Sequence, residues 1–149
     1  MSSLTQEVFE FVARPNPAVM ATVTTDGQPV TVQIVYLAED PSHLLLSIAA
    51  GNSRGGRLEH LRHDPRLAIT VVGKEDWTQA VSLKGTAVEF FEDANLAAID
   101  MMSMHYFGAP YGKRDPRIAV RVRIDEWSAE IAGQGSAHRT VWSVADAGH

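Results

Sequence analysis

The chain has 149 residues, 45% of them hydrophobic, with 18 acidic residues against 13 Lys and Arg, no Cys, a formal net charge of −5 and a pI near 5.6. That length fits one ordinary domain with a real core, and the acidic balance argues against general nucleic-acid binding, which draws on a broad positive face. Without Cys there is no disulfide, thiolate nucleophile or Cys-ligated metal, which agrees with a reducing, cytoplasmic location. The opening MSSLTQEVFEFVARP reads as neither a signal peptide nor a membrane span. A single domain over 1–149 is expected, with a helix in 1–15 and a tail at 132–149 that the pattern does not place.

In chain order, Leu4, Val8, Phe9, Phe11 and Val12 recur at helical spacing and stop before Pro15, which predicts a short opening helix. AVMATVTT and QPVTVQIVYL flank Asp26-Gly27, the strongest short hairpin signal available. HLLLSIAA predicts a third strand, the Arg-rich stretch a helix and RLAITVVG a fourth strand. TQAVSLKGTAVEFF predicts a long fifth strand in which Gly85 marks a bulge. DANLAAIDMMSMH, residues 93–105, has helical propensity with Asp93 as its cap. RIAVRVRIDEW alternates strictly and predicts a half-buried strand, with Ile118, Val120, Val122 and Ile124 inside and Arg117, Ala119, Arg121 and Arg123 outside. About six strands and three short helices make the fold mainly β, an antiparallel sheet closed into a barrel.

The stretch GNSRGGRLEHLRHDPR, residues 51–66, holds four of the thirteen Lys and Arg. On a helical wheel Arg54 and Arg57 share the inward side with Leu58 and Leu61, while Glu59, His60 and His63 fall outward. An inward Arg needs a counter-charge, since a buried charge left unpaired costs about 3–5 kcal/mol. Gly55-Gly56 permits close approach, and the helix start offers free N–H groups, so the stretch reads either as a phosphate cradle or as an amphipathic helix whose Arg stems snorkel to local acids. His60 and His63 have the spacing of a metal pair but no third ligand nearby, so no metal is expected, and no G-x-S-x-G elbow suggests hydrolysis.

The order of DGQPVTVQIVY (26–36), RLEHLRHDPR (57–66) and WTQAVSLKGTA (77–87) resembles the split-barrel flavin and deazaflavin oxidoreductases related to pyridoxamine 5′-phosphate oxidase, in particular the branch that uses coenzyme F420. The resemblance runs from about Val19 to Trp127. It implies a six-stranded antiparallel split β-barrel of the FMN-binding type, paired as a homodimer with the cofactor in a groove between subunits. It implies a cofactor phosphate at Arg57, supported by Arg54 and Ser53, and a ring system lined by Thr31, Val32, Gln33, Ser47, Ile48 and Ala49. Here Gly56-Arg57 stands where the family has an Arg-Lys pair, which departs from the classical FMN oxidase pattern.

Trp77, and Tyr106, Tyr111, Lys113 and Arg114 of the stretch MHYFGAPYGKRDPR, are candidates for a lid over the substrate; the plain alternatives are a core or dimer-interface anchor for Trp77 and an ordinary loop with anchoring aromatics for the stretch. The expected function is hydride transfer from reduced coenzyme F420 to a planar electron-poor small molecule: a quinone, a nitroaromatic, an unsaturated lactone or a tetrapyrrole such as biliverdin. The alternatives are an FMN-dependent oxidoreductase of the same fold, and a non-catalytic protein that binds a deazaflavin, flavin, haem or other tetrapyrrole. No catalytic acid is singled out by the sequence.

Overall fold

The computed structural model describes residues 3–51, 56–132 and 138–142. The first element is α1 (Gln6–Ala13), where Thr5 Oγ1 accepts the N–H of Val8 at 3.4 Å and Val8, Phe11 and Val12 are buried. Strand β1 (Ala18–Val23) pairs with β2 (Pro29–Ile34) as a hairpin in which Ala18 opposes Ile34 and Val23 opposes Pro29. The connection is longer than a two-residue turn: Asp26 and Gly27 lie in a loop closed by Thr24 N–H donating to the Gln28 carbonyl at 2.9 Å.

After Val35 the chain continues as β3 (Tyr36–Asp40), then β4 (His43–Ala49), the short α2 (Arg57–His63), β5 (Arg66–Val72), the long β6 (Ala80–Glu92), α3 (Ala97–Phe107), β7 (Arg117–Ala132) and β8 (His138–Trp142). All pairings are antiparallel, in the order β2-β1-β5-β6-β7-β4-β3, with β8 added beside β7. The two ends of that order, β2 and β3, are consecutive pieces of one segment divided at Val35. The sheet therefore wraps until its edges meet at a single bend, an arrangement consistent with a split barrel. The expected six strands become eight among the described residues, because QPVTVQIVYL divides into β2 and β3 and because the unplaced tail supplies β8.

Gly85 sits at a register shift between β6 and β7, as its isolated place in a strand pattern predicts. A Cβ there would lie 2.7 Å from Val122 Cγ1 and 2.9 Å from the Arg123 carbonyl oxygen, so this crossing requires glycine. The main core lies inside the wrapped sheet and includes Leu46, Ile48, Ile69, Val81, Val120 and Val122. Each such side chain contributes about 1.5–3 kcal/mol on burial. Tyr36 reaches from β3 to donate its hydroxyl to the Val12 carbonyl, which docks α1 on this core.

A second core lies outside the barrel, where Leu96, Ala98, Ile99 and Met102 at the start of α3 cover Leu45 and Ala119. Ala119 is therefore fully buried, which corrects the expected outward face of β7: α3 lies over that position. The helix begins later than expected. Asp93 is followed by a 3-10 turn, Ala94–Leu96, in which Asn95 and Leu96 take left-handed φ of 58° and 57°. The Asp93 carboxylate nevertheless caps α3, accepting the N–H groups of Ala98 (2.8 Å) and Ile99 (3.0 Å). Among the described residues, no helix is long and apolar enough to cross a membrane.

Candidate functional site

At the Val35 end of β2 the sheet opens into a cavity of about 360 Å³. Its walls are Val32 and Gln33 of β2, Ala49 at the end of β4, Arg57 at the start of α2, Tyr111, Lys113 and Asp115 of the segment after α3, and Arg117 at the start of β7. Four stretches between residues 32 and 117 thus deliver three cations and one carboxylate to one hollow.

Arg57 is the group least explained by the fold. Its Nε is buried and has no hydrogen-bond partner. Burial, and then the neighbouring Arg117 charge, hold its pKa below the ordinary arginine value. Among the described residues no carboxylate pairs with it, although Asp115 shares the cavity. A partly buried guanidinium with an unused donor and a like charge beside it favours binding of an external anion.

Arg117 is held differently. Its Nε donates to Ser47 Oγ at 2.6 Å, an Nη donates to the Ser47 carbonyl at 3.0 Å, and its guanidinium lies 5.2 Å from the centre of the Tyr111 ring. The strand period explains the division of labour on β4. Ser47 and Ala49 serve the cavity side, while Ile48 between them is 1% exposed and points into the main core. Ile48 is not among the residues that line this cavity. Thr31 is exposed on β2 and lies outside the cavity wall, whereas Val32 and Gln33 belong to it. Ser53 and Arg54 lie outside the described residues.

The four candidates in the 106–114 stretch and its neighbour Phe107 separate. Tyr111 and Lys113 line the cavity. Arg114 is bound to Asp100 through two Nη···Oδ contacts of 2.8 and 3.1 Å and so brings no free charge to the site. Tyr106 donates its hydroxyl to the Asn16 carbonyl at 2.9 Å and stacks edge-on with Tyr36 at 6.3 Å. Burial pushes its pKa up to about 12. Tyr106 belongs instead to the wall of a second, apolar groove of about 310 Å³ with Pro17, Val19, Ile34, Val72 and Phe107. Trp77 is 79% exposed in the β5–β6 connection and touches neither hollow.

His60, expected outward, is buried with Nδ1 3.1 Å from Thr22 Oγ1. In a helix this short, α2 turns His60 as well as Leu61 toward β1. No group of three potential metal ligands is found among the described residues. Of the basic residues that the KRDPR run offers to an anionic tail, Lys113 and Arg117 line the cavity and Arg114 does not.

A family model described as pyridoxamine 5′-phosphate oxidase matches residues 4–130. The chain belongs to that family. Members of the pyridoxamine 5′-phosphate oxidase family bind flavin- or deazaflavin-type cofactors, and the protein is an oxidoreductase-type enzyme by this membership. Solved structures with the same fold include an F420 reductase (18% identity, covering 80% of this chain and 94% of that chain, TM-score 0.70). A conserved hypothetical protein from Mycobacterium tuberculosis is 22% identical over 99% of this chain and 90% of that chain, with a TM-score of 0.62. A heme binding protein from Mycobacterium smegmatis is 21% identical over 92% of this chain and 57% of that chain, with a TM-score of 0.61.

Proposed function

We propose that this protein is a coenzyme F420-dependent reductase that delivers a hydride to a planar, electron-poor small molecule. The observation that carries the reading is Arg57: a buried Nε without a partner, beside Arg117, at a cavity whose other wall is Val32, Gln33 and Ala49. These residues fit a ligand with an anionic tail and a flat, largely apolar head. Arg57, Arg117 and Lys113 would hold the tail, and Val32, Gln33 and Ala49 would meet the ring. The extra cation Lys113 favours the deazaflavin over FMN, since the deazaflavin coenzyme carries both a phosphate and a polyglutamate tail.

When bound, the reduced deazaflavin supplies the hydride. The protein's part is to bind, orient and exclude water. Gly56, with φ of 63°, brings the chain into α2 at an angle that places Arg57 at the cavity. The Tyr111 hydroxyl is available as a proton source on the cavity wall, with solvent as the other, whereas the Tyr106 hydroxyl is engaged by Asn16. The acceptor belongs to the class of quinones, nitroaromatics, unsaturated lactones and tetrapyrroles. The working unit is a homodimer whose second copy closes the open side of the groove, and light scattering that finds only monomer at micromolar concentration removes that part.

The experiment is turnover: reduced coenzyme F420 is mixed with menadione, a nitroaromatic or biliverdin, and reoxidation is followed by absorbance. Protein-dependent reoxidation with at least one acceptor is expected. Binding without turnover of any acceptor would make the protein a carrier, and selective binding of FMN would make it a flavin enzyme.

A further inference from the structure

We propose that Asp100 is a positioning residue for the anion site: with Arg114 it pins the segment 108–116 so that Tyr111 supports Arg117 as a second anion contact facing Arg57. The inference rests on the proposed cofactor site and adds a residue from α3 that does not line the cavity.

The geometry begins at the backbone of Tyr111. Its N–H donates to Asp100 Oδ1 at 3.0 Å, and its carbonyl accepts from an Arg114 Nη at 3.1 Å. That same guanidinium grips both oxygens of Asp100, at 2.8 and 3.1 Å. Both polar groups of one peptide position are therefore held by one ion pair. The pair is anchored to α3, whose inner face is packed in the second core by Ile99 and Met102. Tyr111 itself packs against that core, so its ring is fixed from behind as well as through its backbone.

The front of the Tyr111 ring faces Arg117, 5.2 Å away. Ser47 takes two of the Arg117 donors, through Oγ at 2.6 Å and its carbonyl at 3.0 Å. Ring and serine together leave the other guanidinium N–H groups for the cavity. A side chain held this way keeps less rotamer freedom to lose on binding, which raises affinity without a new contact. Two guanidinium groups at one cavity, neither in an ion pair among the described residues, suit a ligand carrying a phosphate or two separate negative charges there.

The test compares two deazaflavins by fluorescence titration: coenzyme F420, which carries the phosphate, and 5-deazariboflavin, which lacks it. Arg117→Ala is expected to weaken coenzyme F420 about tenfold or more, as for loss of a charge-assisted contact, and to leave 5-deazariboflavin nearly unchanged. Asp100→Ala is expected to give the same selective loss at about threefold to tenfold, and to add nothing in the Arg117→Ala background, because both act on one contact. Asp100→Asn, which keeps an acceptor for the Tyr111 N–H, serves if the alanine variant does not fold, with the same selective loss expected at smaller size. Equal weakening of both ligands, or full additivity of the two substitutions, would overturn the positioning role. Failure of the wild type to bind either deazaflavin would sink the proposed cofactor. The positioning role is then decided with inorganic phosphate, by the rise in melting temperature it gives the wild type: loss of that rise in Arg117→Ala and Asp100→Ala supports the role, and its persistence, or no rise in the wild type, overturns it.

Discussion

Two hollows of similar volume meet at strand β2 and share Gln33, yet one gathers several charges and the other, apart from Lys74, is apolar. One is walled by Arg57, Arg117, Lys113 and Asp115; the other by prolines, Val19, Ile34, Val72, Phe107 and the ring of Tyr106. Two tyrosines five residues apart go to different sides: Tyr111 carries an arginine, while Tyr106 is tied into the protein by Asn16 and Tyr36. The contrast teaches that charge, not mere concavity, marks the site. The cationic hollow contains a polar donor that the fold leaves unsatisfied, and in the apolar one the hydroxyl present is already used.

The largest expected effect separates fold from site on a single strand. Ile48→Ala removes a fully buried side chain and should cost about 2–5 kcal/mol of stability in denaturant unfolding, with deazaflavin affinity little changed once the variant is folded. Ser47→Ala, one residue away, should do the reverse, because it releases Arg117. Next in size, Arg57→Ala should weaken coenzyme F420 binding by about 1.5–3 kcal/mol in a fluorescence titration, the range for a hydrogen bond to a charged group. Its melting temperature should not fall, since the substitution also removes a like-charge neighbour of Arg117. A large loss of stability with unchanged affinity would reverse the roles of the two positions.

Alkaline titration tests the apolar side. Burial raises the pKa of Tyr106 from the ordinary tyrosine value to about 12, and burial also raises that of Tyr36. Between those values the native protein holds protons that the unfolded chain has released, so stability should decline as pH rises from about 10 toward 12. Tyrosinate absorbance in the native protein should show two late-titrating groups, and Tyr106→Phe should remove one of them. Tyrosinate appearing at the ordinary value for all three tyrosines would contradict the packing of Tyr106 and Tyr36. The smallest effect is expected at Trp77. Trp77→Ala should change stability by no more than about 0.5 kcal/mol, as for an exposed position, and leave affinity unaltered. A clear loss of affinity would place this indole in a groove formed between two copies.

The sequence carried the strands well where alternation or turn chemistry was strong. The Asp26-Gly27 hairpin, the bulge at Gly85 and the Asp93 cap all follow from local rules that the tertiary structure keeps. It failed where a side chain's environment depends on what lies over it. Ala119 reads as outward in an alternating strand, and only the docking of α3 buries it. His60 reads as outward on a wheel, and only the short α2 lying against β1 turns it to Thr22. The division of QPVTVQIVYL at Val35, which lets one segment supply both edge strands of the sheet, has no marker such as Gly or Pro. Within the site, Arg57 could be singled out from its charge and spacing. The Ser47–Arg117–Tyr111 arrangement joins positions up to 70 residues apart and is set by the register that puts Ser47 opposite Ala119 and Ala49 opposite Arg117.

The most direct measurement is a titration of the purified protein with oxidised coenzyme F420 and with FMN, at low and at high salt, repeated on Arg57→Ala. Selective binding of the deazaflavin, weaker at high salt and largely lost in the variant, is expected. Preference for FMN, or deazaflavin binding that neither salt nor Arg57→Ala alters, would contradict it.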